Sequence, residues 1–458
     1  VPLNFYTRLV STFLFPIQEK LKHHETVKIR KDMERTQWSS PEHLETLRVE
    51  RLRTFMVNVG KNVPYFRNLF HDLAFDPSNI KSTSDITRLP LLTKDLIRAN
   101  TDQLKSDIAQ NLARFNTGGS SGEPLIFYLG NERVSHDVAA KWRATRWWDV
   151  DIGDPEIVVW GSPIELGTQD KVRMLRDHVM RTKLLPAFEM SEKKLDIFLR
   201  EIRTMRPKML FGYPSALSHI ARHANAKGVS MDDLGIRVAF TTSERLYDEQ
   251  RQQIATTFAC RVANGYGGRD SGFIAHECPS GGMHITAEDL IVEIIDNEGT
   301  VLPPGQSGEI VITHLATKDF PFIRYRTGDI GILNENACPC GRGLPLLKEI
   351  QGRATDFVMT RDGTVMHGLA LIYILRDLPG VEAFKIIQEN LDRTRVLLVT
   401  DRKFDEQNCV KIVAGFKKRL GESVQIEIER MTEIPKETSG KFRYIVSKVA
   451  GTKEAAET

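Results

Sequence analysis

The chain has 458 residues, 41% hydrophobic and 27% charged, an ordinary composition for a globular protein of two or more domains. Sixty-three basic against sixty acidic residues leave a net charge of +3, which gives no reason to expect a nucleic-acid partner. Five cysteines are too few for a disulfide framework, and no segment approaches the ~20 apolar residues of a spanning helix, so the expectation is a cytoplasmic protein without a membrane span.

Val1 to Ile17 is apolar in patches but broken by Arg8 and Pro16, and lacks the basic leader and cleavage site of a signal peptide. The segment reads as a helix docked on the body, with a membrane-surface helix as the alternative. Ser40 followed by Pro41 marks a helix start; Leu44, Leu47, Leu52, Phe55, Met56 and Val59 keep near-helical spacing, and Gly60 reads as its end.

The middle of the chain alternates strand and helix. Lys208 to Phe211 reads as a strand, followed by Gly212-Tyr213-Pro214-Ser215 and a helix to about Lys227. Arg237 to Phe240 is the next strand, with Thr241-Thr242-Ser243-Glu244 after it and a helix over Asp248 to Phe258. A third strand, Arg261 to Ala263, leads into Gly265-Tyr266-Gly267-Gly268-Arg269-Asp270. Such alternation predicts a parallel sheet with right-handed crossovers, its polar loops gathered at the carboxyl edge where open sheets bind ligands. Leu290 to Ile295, Glu309 to Thr313 and Ile330 to Leu333 then read as an antiparallel meander.

Beyond about Asp356 comes a small α+β pattern. It has a hairpin at Asp362-Gly363, a helix at Leu369 to Leu378, strands at Glu382 to Ile387 and Arg395 to Val399, a helix at Glu406 to Leu420 and a strand at Val424 to Ile428. The expected class is therefore α/β. A large N-terminal domain, 1–355, carries parallel α/β layers plus the meander, and a small α+β domain follows over 356–458.

Three segments carry chemistry. In Thr117-Gly118-Gly119-Ser120-Ser121-Gly122-Glu123-Pro124 the glycines free backbone N–H groups to close around an anion, and the hydroxyls add donors; a surface loop is the plainer alternative. In Arg324-Tyr325-Arg326-Thr327-Gly328-Asp329 the aspartate can accept both hydroxyls of a ribose and the arginines suit phosphate; an ion-paired strand end is the alternative. In Pro435-Lys436-Glu437-Thr438-Ser439-Gly440-Lys441 a turn presents Lys441 as a mobile point charge, unless the stretch is only a solvated basic loop.

These segments in this order, with Tyr266-Gly267 between the first and second, resemble the adenylate-forming superfamily of acyl-CoA synthetases, luciferases and peptide-synthetase adenylation domains. Gly-Tyr-Pro-Ser, Thr-Ser-Glu and Cys338-Pro339-Cys340-Gly341-Arg342 resemble its phenylacetate–CoA ligase branch, including relatives associated with capsular polysaccharide genes. The resemblance runs from about Trp38 to Lys448. It implies that Thr117 to Gly122 hold the ATP phosphates, that Ser243 and Glu244 lie by the adenine, and that Tyr266, followed by Gly267, stacks on it. Asp329 would bind the ribose, Arg353 would approach the nucleotide, and Lys441, with Arg326, would serve adenylation. The C-terminal domain would be a lid turning near Thr355 or Asp356. Where the family has Ser or Thr and then Glu, this chain has Arg269 and Asp270; Asp270 can still ligate Mg²⁺, and Arg269 could neutralise phosphate charge.

The residues alone also suggest a structural Zn²⁺ site, three thiolates and an imidazole from Cys278, His284, Cys338 and Cys340, with His276 as a rival ligand and buried free cysteines as the alternative. Cys260 and Cys409 read as core or surface thiols. Trp147, Trp148 and Trp160 could line a pocket, though packing would explain them equally.

The expected activity is ATP-dependent formation of an acyl-adenylate from a carboxylic acid, then transfer to a thiol such as coenzyme A. Delivery to an amine, an amino sugar or a carrier protein is one alternative, and a non-catalytic nucleotide-binding homologue another. Phenylacetate is the first acid the family suggests. A homodimer is compatible with this reading.

Overall fold

Ser40 accepts a hydrogen bond from the His43 N–H (3.3 Å) and starts the helix Pro41–Asn62, which buries Leu44, Leu52, Phe55, Met56 and Val59. Gly60 lies inside this helix and does not end it. Its missing side chain makes room for the Phe70 ring, which a Cβ would meet at 2.8 Å. The stop comes at Val63, which is extended because Pro64 follows.

The computed structural model describes residues 4–117, 125–160, 171–187, 190, 192–353, 357–361, 365–367, 369–376, 378–434 and 443–449. Strands β1 (Ala113–Asn116) and β2 (Ile126–Leu129) form a hairpin. The main sheet uses β3 (Glu156–Trp160), β4 (Thr182–Pro186), β5 (Met209–Gly212), β6 (Val238–Thr242), β7 (Arg261–Gly268), β8 (Gly272–Glu277) and β9 (Met283–Ile285). It continues with β10 (Leu290–Ile295), β11 (Ser307–His314), β12 (Phe322–Leu333) and β13 (Leu346–Arg353). Its order is β10-β11-β12-β13-β9-β8-β7-β6-β5-β3-β4. The half from β4 to β7 is parallel, and every pairing from β7 to β10 is antiparallel. β5 and β6 are buried along their whole length, as parallel strands covered on both faces must be.

β7 runs past Ala263 through the glycines to Gly268. They read as a loop in sequence, but they pair with β8. Gly267 sits at a bulge of that ladder, where a Cβ would lie 2.0 Å from the Gly272 carbonyl oxygen.

Downstream, β14 (Phe357–Met359) and β15 (Val365–His367) pair antiparallel; the expected turn, Asp362-Gly363, lies outside the described residues. A second sheet, β18-β17-β16-β19, is built from β16 (Val381–Asn390), β17 (Arg393–Thr400), β18 (Gln425–Arg430) and β19 (Ile445–Ser447). With helices Leu369–Arg376 and Gln407–Leu420 it encloses its own core around Leu371, Phe384, Leu398 and Phe416.

The N-terminal segment is a continuous helical rod: α over Phe5–Leu9, π over Val10–Leu14 and α over Phe15–Leu21. It is docked as expected. Thr7 donates to Asp154 (2.8 Å), Tyr6 to the Val179 carbonyl (2.9 Å), and Phe15 meets Trp142 edge-on at 5.0 Å. No helix among the described residues is long and apolar enough to cross a membrane.

A buried ion pair ties these layers together. Arg143 of helix Asn131–Arg146 bonds Glu288, which also accepts from Thr36 (3.2 Å), while Arg51 donates to the Glu288 carbonyl (3.3 Å) and to Asp289 (2.8 Å). Removing one partner strands a charge in the core. Glu288→Ala is therefore expected to destabilise the protein by about 3–5 kcal/mol, read as a lowered urea midpoint.

Candidate active site

The carboxyl ends of β5, β6 and β7 bring the polar loops together as the alternation predicts. The Ser215 N–H donates to the Glu244 carboxylate (3.2 Å), joining the loop after β5 to that after β6. Ser243, at the end of β6, holds a φ of +70°, a left-handed backbone a serine adopts only where its surroundings impose it. Trp160, at the end of β3, stacks on Tyr213 with centroids 4.4 Å apart. Trp147 and Trp148 are taken up by packing: Trp147 donates to Gln37 (2.9 Å) and Trp148 to the Glu277 carbonyl (3.0 Å).

Two phenol–carboxylate bonds join this edge to the antiparallel half. Tyr266 donates to Asp329 (2.9 Å), and the buried Tyr325 donates to Asp270 (2.6 Å), whose other oxygen accepts from the Ser271 N–H (3.0 Å). Asp329 is aligned further by Thr327, whose hydroxyl accepts from the Asp329 N–H (3.1 Å), and stands opposite Arg353 in the β12–β13 ladder. The sequence motif placed Tyr266 and Asp329 in one site, and the fold brings them into contact across 63 residues.

The two arginines of the motif part company. Arg324 is buried, ion-paired with Glu293 (3.0 Å) and donating to the carbonyls of Thr87 (3.0 Å) and Leu89 (2.7 Å). It is a core residue, not a phosphate ligand. Arg326 is paired with Glu309 (2.8 Å from Nε), whose second oxygen accepts the Gly328 N–H (3.1 Å) and so shapes the turn before Asp329.

Arg133 was not legible as a site residue. Buried, it ion-pairs with Asp137 (3.1 Å) and donates to the carbonyls of Asp270 (3.2 Å) and Arg269 (3.4 Å), holding that turn from beneath. Its only local signal is a helix whose inner face is polar: Arg133, Ser135, His136, Arg143 and Thr145 are all buried. Asp137 also lies within ligand distance of His136 and His314, but its carboxylate is already bonded by Arg133.

Thr117 closes the β1–β2 hairpin, exchanging hydrogen bonds with Leu125 through its backbone N–H (3.0 Å) and its hydroxyl (3.0 Å). Gly118, Gly119, Ser120, Ser121 and Gly122 lie outside the described residues, as do Thr355, Asp356 and Lys441. Beyond the Lys441 segment the chain re-enters at Tyr444, which packs edge-on against Tyr247 (5.4 Å), the residue that starts the helix after the Ser243-Glu244 loop.

The cysteine cluster assembles. Cys278 and Cys338 have sulfurs 3.6 Å apart, Cys340 Sγ lies 3.2 Å from His284 Nε2, and all four donor atoms fall within 4.8 Å of one another. A tetrahedron of ~2.3 Å zinc–sulfur bonds has edges of roughly 3.8 Å, so the donors fit a closed Zn²⁺ site. Burial pushes the His284 imidazole down to about 4, keeping it neutral, and its Nδ1 pairs with the Leu344 carbonyl (3.3 Å), which turns Nε2 toward the sulfurs. Burial pushes the Cys338 thiol up to about 11, whereas at Cys340 burial is outweighed by hydrogen bonds from Arg342, which hold its thiol below the ordinary value. His276 is not in the cluster: it is stacked on Phe273 (5.4 Å), and burial depresses it to about 3. Cys260 is partly buried, its thiol pushed up to about 12 by desolvation, and Cys409 lies 3.8 Å from Glu406.

Residues 182–316 match the AMP-binding enzyme family and residues 358–448 the CapK C-terminal domain. Protein CapK of Staphylococcus aureus is 24% identical over 88% of this chain and 89% of its own length. A phenylacetate-coenzyme A ligase of Thermus thermophilus is 26% identical over 74% of this chain and 77% of its own. The chain belongs to the adenylate-forming superfamily. It falls in the phenylacetate–CoA ligase-like branch with its CapK relatives. Among solved structures, 2-hydroxyisobutyryl-CoA ligase in its postadenylation state shares the fold, with a TM-score of 0.73, 19% identity and coverage of 90% of this chain and 91% of that one.

The Tyr325–Asp270 bond is a buried hydrogen bond to a charged group, a class contributing about 1.5–3 kcal/mol. Tyr325→Phe is expected to lower stability by about that amount in denaturant titrations, with the fold retained by circular dichroism.

Proposed function

We propose that this adenylate-forming ligase activates a carboxylic acid with ATP, releasing pyrophosphate, and passes the acyl group to a thiol such as coenzyme A. The observation that carries this reading is the Tyr266–Asp329 pair at the carboxyl edge, beside the Ser243-Glu244 loop. The phenol fixes one carboxylate oxygen, orienting Asp329 for a ribose diol beneath an adenine lying between Tyr266, Ser243 and Glu244. Residues 118–122, which lie between β1 and β2 in the chain, would hold the phosphates, and Asp270, fixed by Tyr325 and Ser271, would hold Mg²⁺, which supplies charge neutralisation there.

In this mechanism the acid's carboxylate attacks the α-phosphorus in line and pyrophosphate departs. Little covalent chemistry falls to the protein; positioning and charge stabilisation carry the rate. Arg326 keeps the Asp329 turn in place and meets developing charge from the sheet side, and Lys441 meets it from the C-terminal side. Residues 1–355 would form the body and 356–458 the lid; the separate C-terminal core and the Tyr247–Tyr444 contact support that division. The stacked Trp160–Tyr213 pair supports an aromatic acid, phenylacetate being the first to try. Delivery to an amine, an amino sugar or a carrier protein is the second reading, since the family matched by residues 358–448 names no acceptor.

ATP–pyrophosphate exchange over aryl, fatty and amino acids tests the first step. One acid class should support exchange, and Lys441→Ala should lose about 10²–10³ of it. Near-wild-type exchange in the variant would remove Lys441 from the mechanism, and consumption of coenzyme A separates the two acceptors.

We also propose that Cys278, His284, Cys338 and Cys340 hold a structural Zn²⁺ that pins the loop after β8 to that before β13. Elemental analysis should find one equivalent of zinc. Cys338→Ser with Cys340→Ser should lose it and lower the thermal midpoint; zinc retained in that variant would defeat the assignment.

A further inference from the structure

The N-terminal rod buries one face and leaves the other apolar. Phe5 is 81% exposed, Leu9 36%, Phe13 59%, Ile17 56% and Leu21 77%. These residues recur every fourth position. In an unbroken α-helix such a series drifts by about 40° per step, or about 160° from end to end, and would wind away from one side. The π turn Val10–Leu14 sits in the middle of the series. Its wider winding rotates the later residues back, so the stripe stays on one face of a rod ~25 Å long.

Exposed charge along the rod is basic. Among residues 4–24 the exposed charged side chains are Arg8, Lys20 and Lys22; the single carboxylate, Glu19, is buried, bonded by Thr26 and His24 and ion-paired with Lys22 (3.8 Å), and the exposed Glu25 that follows the rod is paired with Lys28 (3.3 Å). An apolar stripe flanked by basic residues is the pattern of a helix lying in the interface of an anionic lipid surface. A second copy of the chain fits less well, since paired rods would bring Arg8 and the two lysines against their own kind. The anchoring points agree: Asp154 and Val179, which hold Thr7 and Tyr6, precede β3 and β4. The rod thus lies toward the amino edge of the sheet, opposite the candidate site.

We propose that this face docks the protein on an anionic membrane surface, leaving the carboxyl edge open to solution. The test is co-sedimentation of the full chain with vesicles of phosphatidylglycerol mixed into phosphatidylcholine. The protein should sediment with these vesicles, far less with phosphatidylcholine alone, and less as salt rises. Phe13→Glu and Ile17→Glu, at exposed positions, should weaken binding roughly tenfold or more without moving the thermal midpoint; Phe13→Ser serves if either fails to fold. Lys20→Ala with Lys22→Ala should lower binding and flatten its salt dependence. Failure of the full chain to sediment, equal binding to neutral vesicles, or equal binding by the stripe variants would overturn the proposal. So would light scattering showing a dimer that the stripe variants dissociate, without vesicle binding.

Discussion

Two tyrosine hydroxyls tie the two halves of the main sheet together where the candidate site lies. The parallel half of the main sheet ends at β7, and the segment bearing Asp329 arrives on β12, five strands later in the chain. Tyr266 reaches from β7 to Asp329, and Tyr325 reaches back from β12 to Asp270. Each bond joins one half of the sheet to the other, and each ends on a carboxylate that the proposed chemistry needs. The two bonds run in opposite directions between the same two segments, so each segment both donates and accepts. Arg133 adds a third restraint from below, on the backbone of the same turn.

This arrangement explains how much was readable in the sequence. Elements with strong local signals appear where expected: helix Asp248–Phe258 and strand Leu290–Ile295 match residue for residue, since a helical stretch between strands and a short run of apolar, largely β-branched residues are local signals. The cysteine cluster was legible because cysteine is scarce and its chemistry specific. What failed depends on distant partners. Arg324 looks like an anion ligand until Glu293 and two backbone carbonyls surround it, and nothing within ten residues announces them. Gly60 carries the ordinary signal of a helix end, but Phe70 needs the space and Pro64 supplies the stop. Gly265 to Gly268 carry the signal of a loop, but β8 offers them a ladder. β19 is too short for its periodicity to be seen and exists because β16 presents an edge to pair with.

The chain's departure from the family pattern also gains a physical setting. Arg269 and Asp270 stand where the family places a hydroxyl and a longer carboxylate. Asp270 is one methylene shorter, and Tyr325 and the Ser271 N–H hold both its oxygens in place. A short, fixed acid presents a cation with less choice of geometry than a long, mobile one. Arg269 introduces a positive charge on the same turn, whose backbone Arg133 holds. The two changes act in one direction: more of the phosphate charge would be met by the fixed sheet edge.

The same logic bears on the proposed lid. Lys441 lies between Ile434 and Tyr444, and the chain on either side belongs to the second sheet, with β18 before it and β19 after, the latter paired in parallel with β16. In a two-step reaction, rotation of that sheet would withdraw the Lys441 charge from the phosphate as one body, while Tyr266, Asp329 and Asp270 keep their places on the other. The Tyr247–Tyr444 contact couples the two bodies near the Ser243-Glu244 loop, where the proposed nucleotide would sit. Beside it, Tyr247 packs against the C-terminal core and Arg222 donates to the Glu382 carbonyl (3.3 Å).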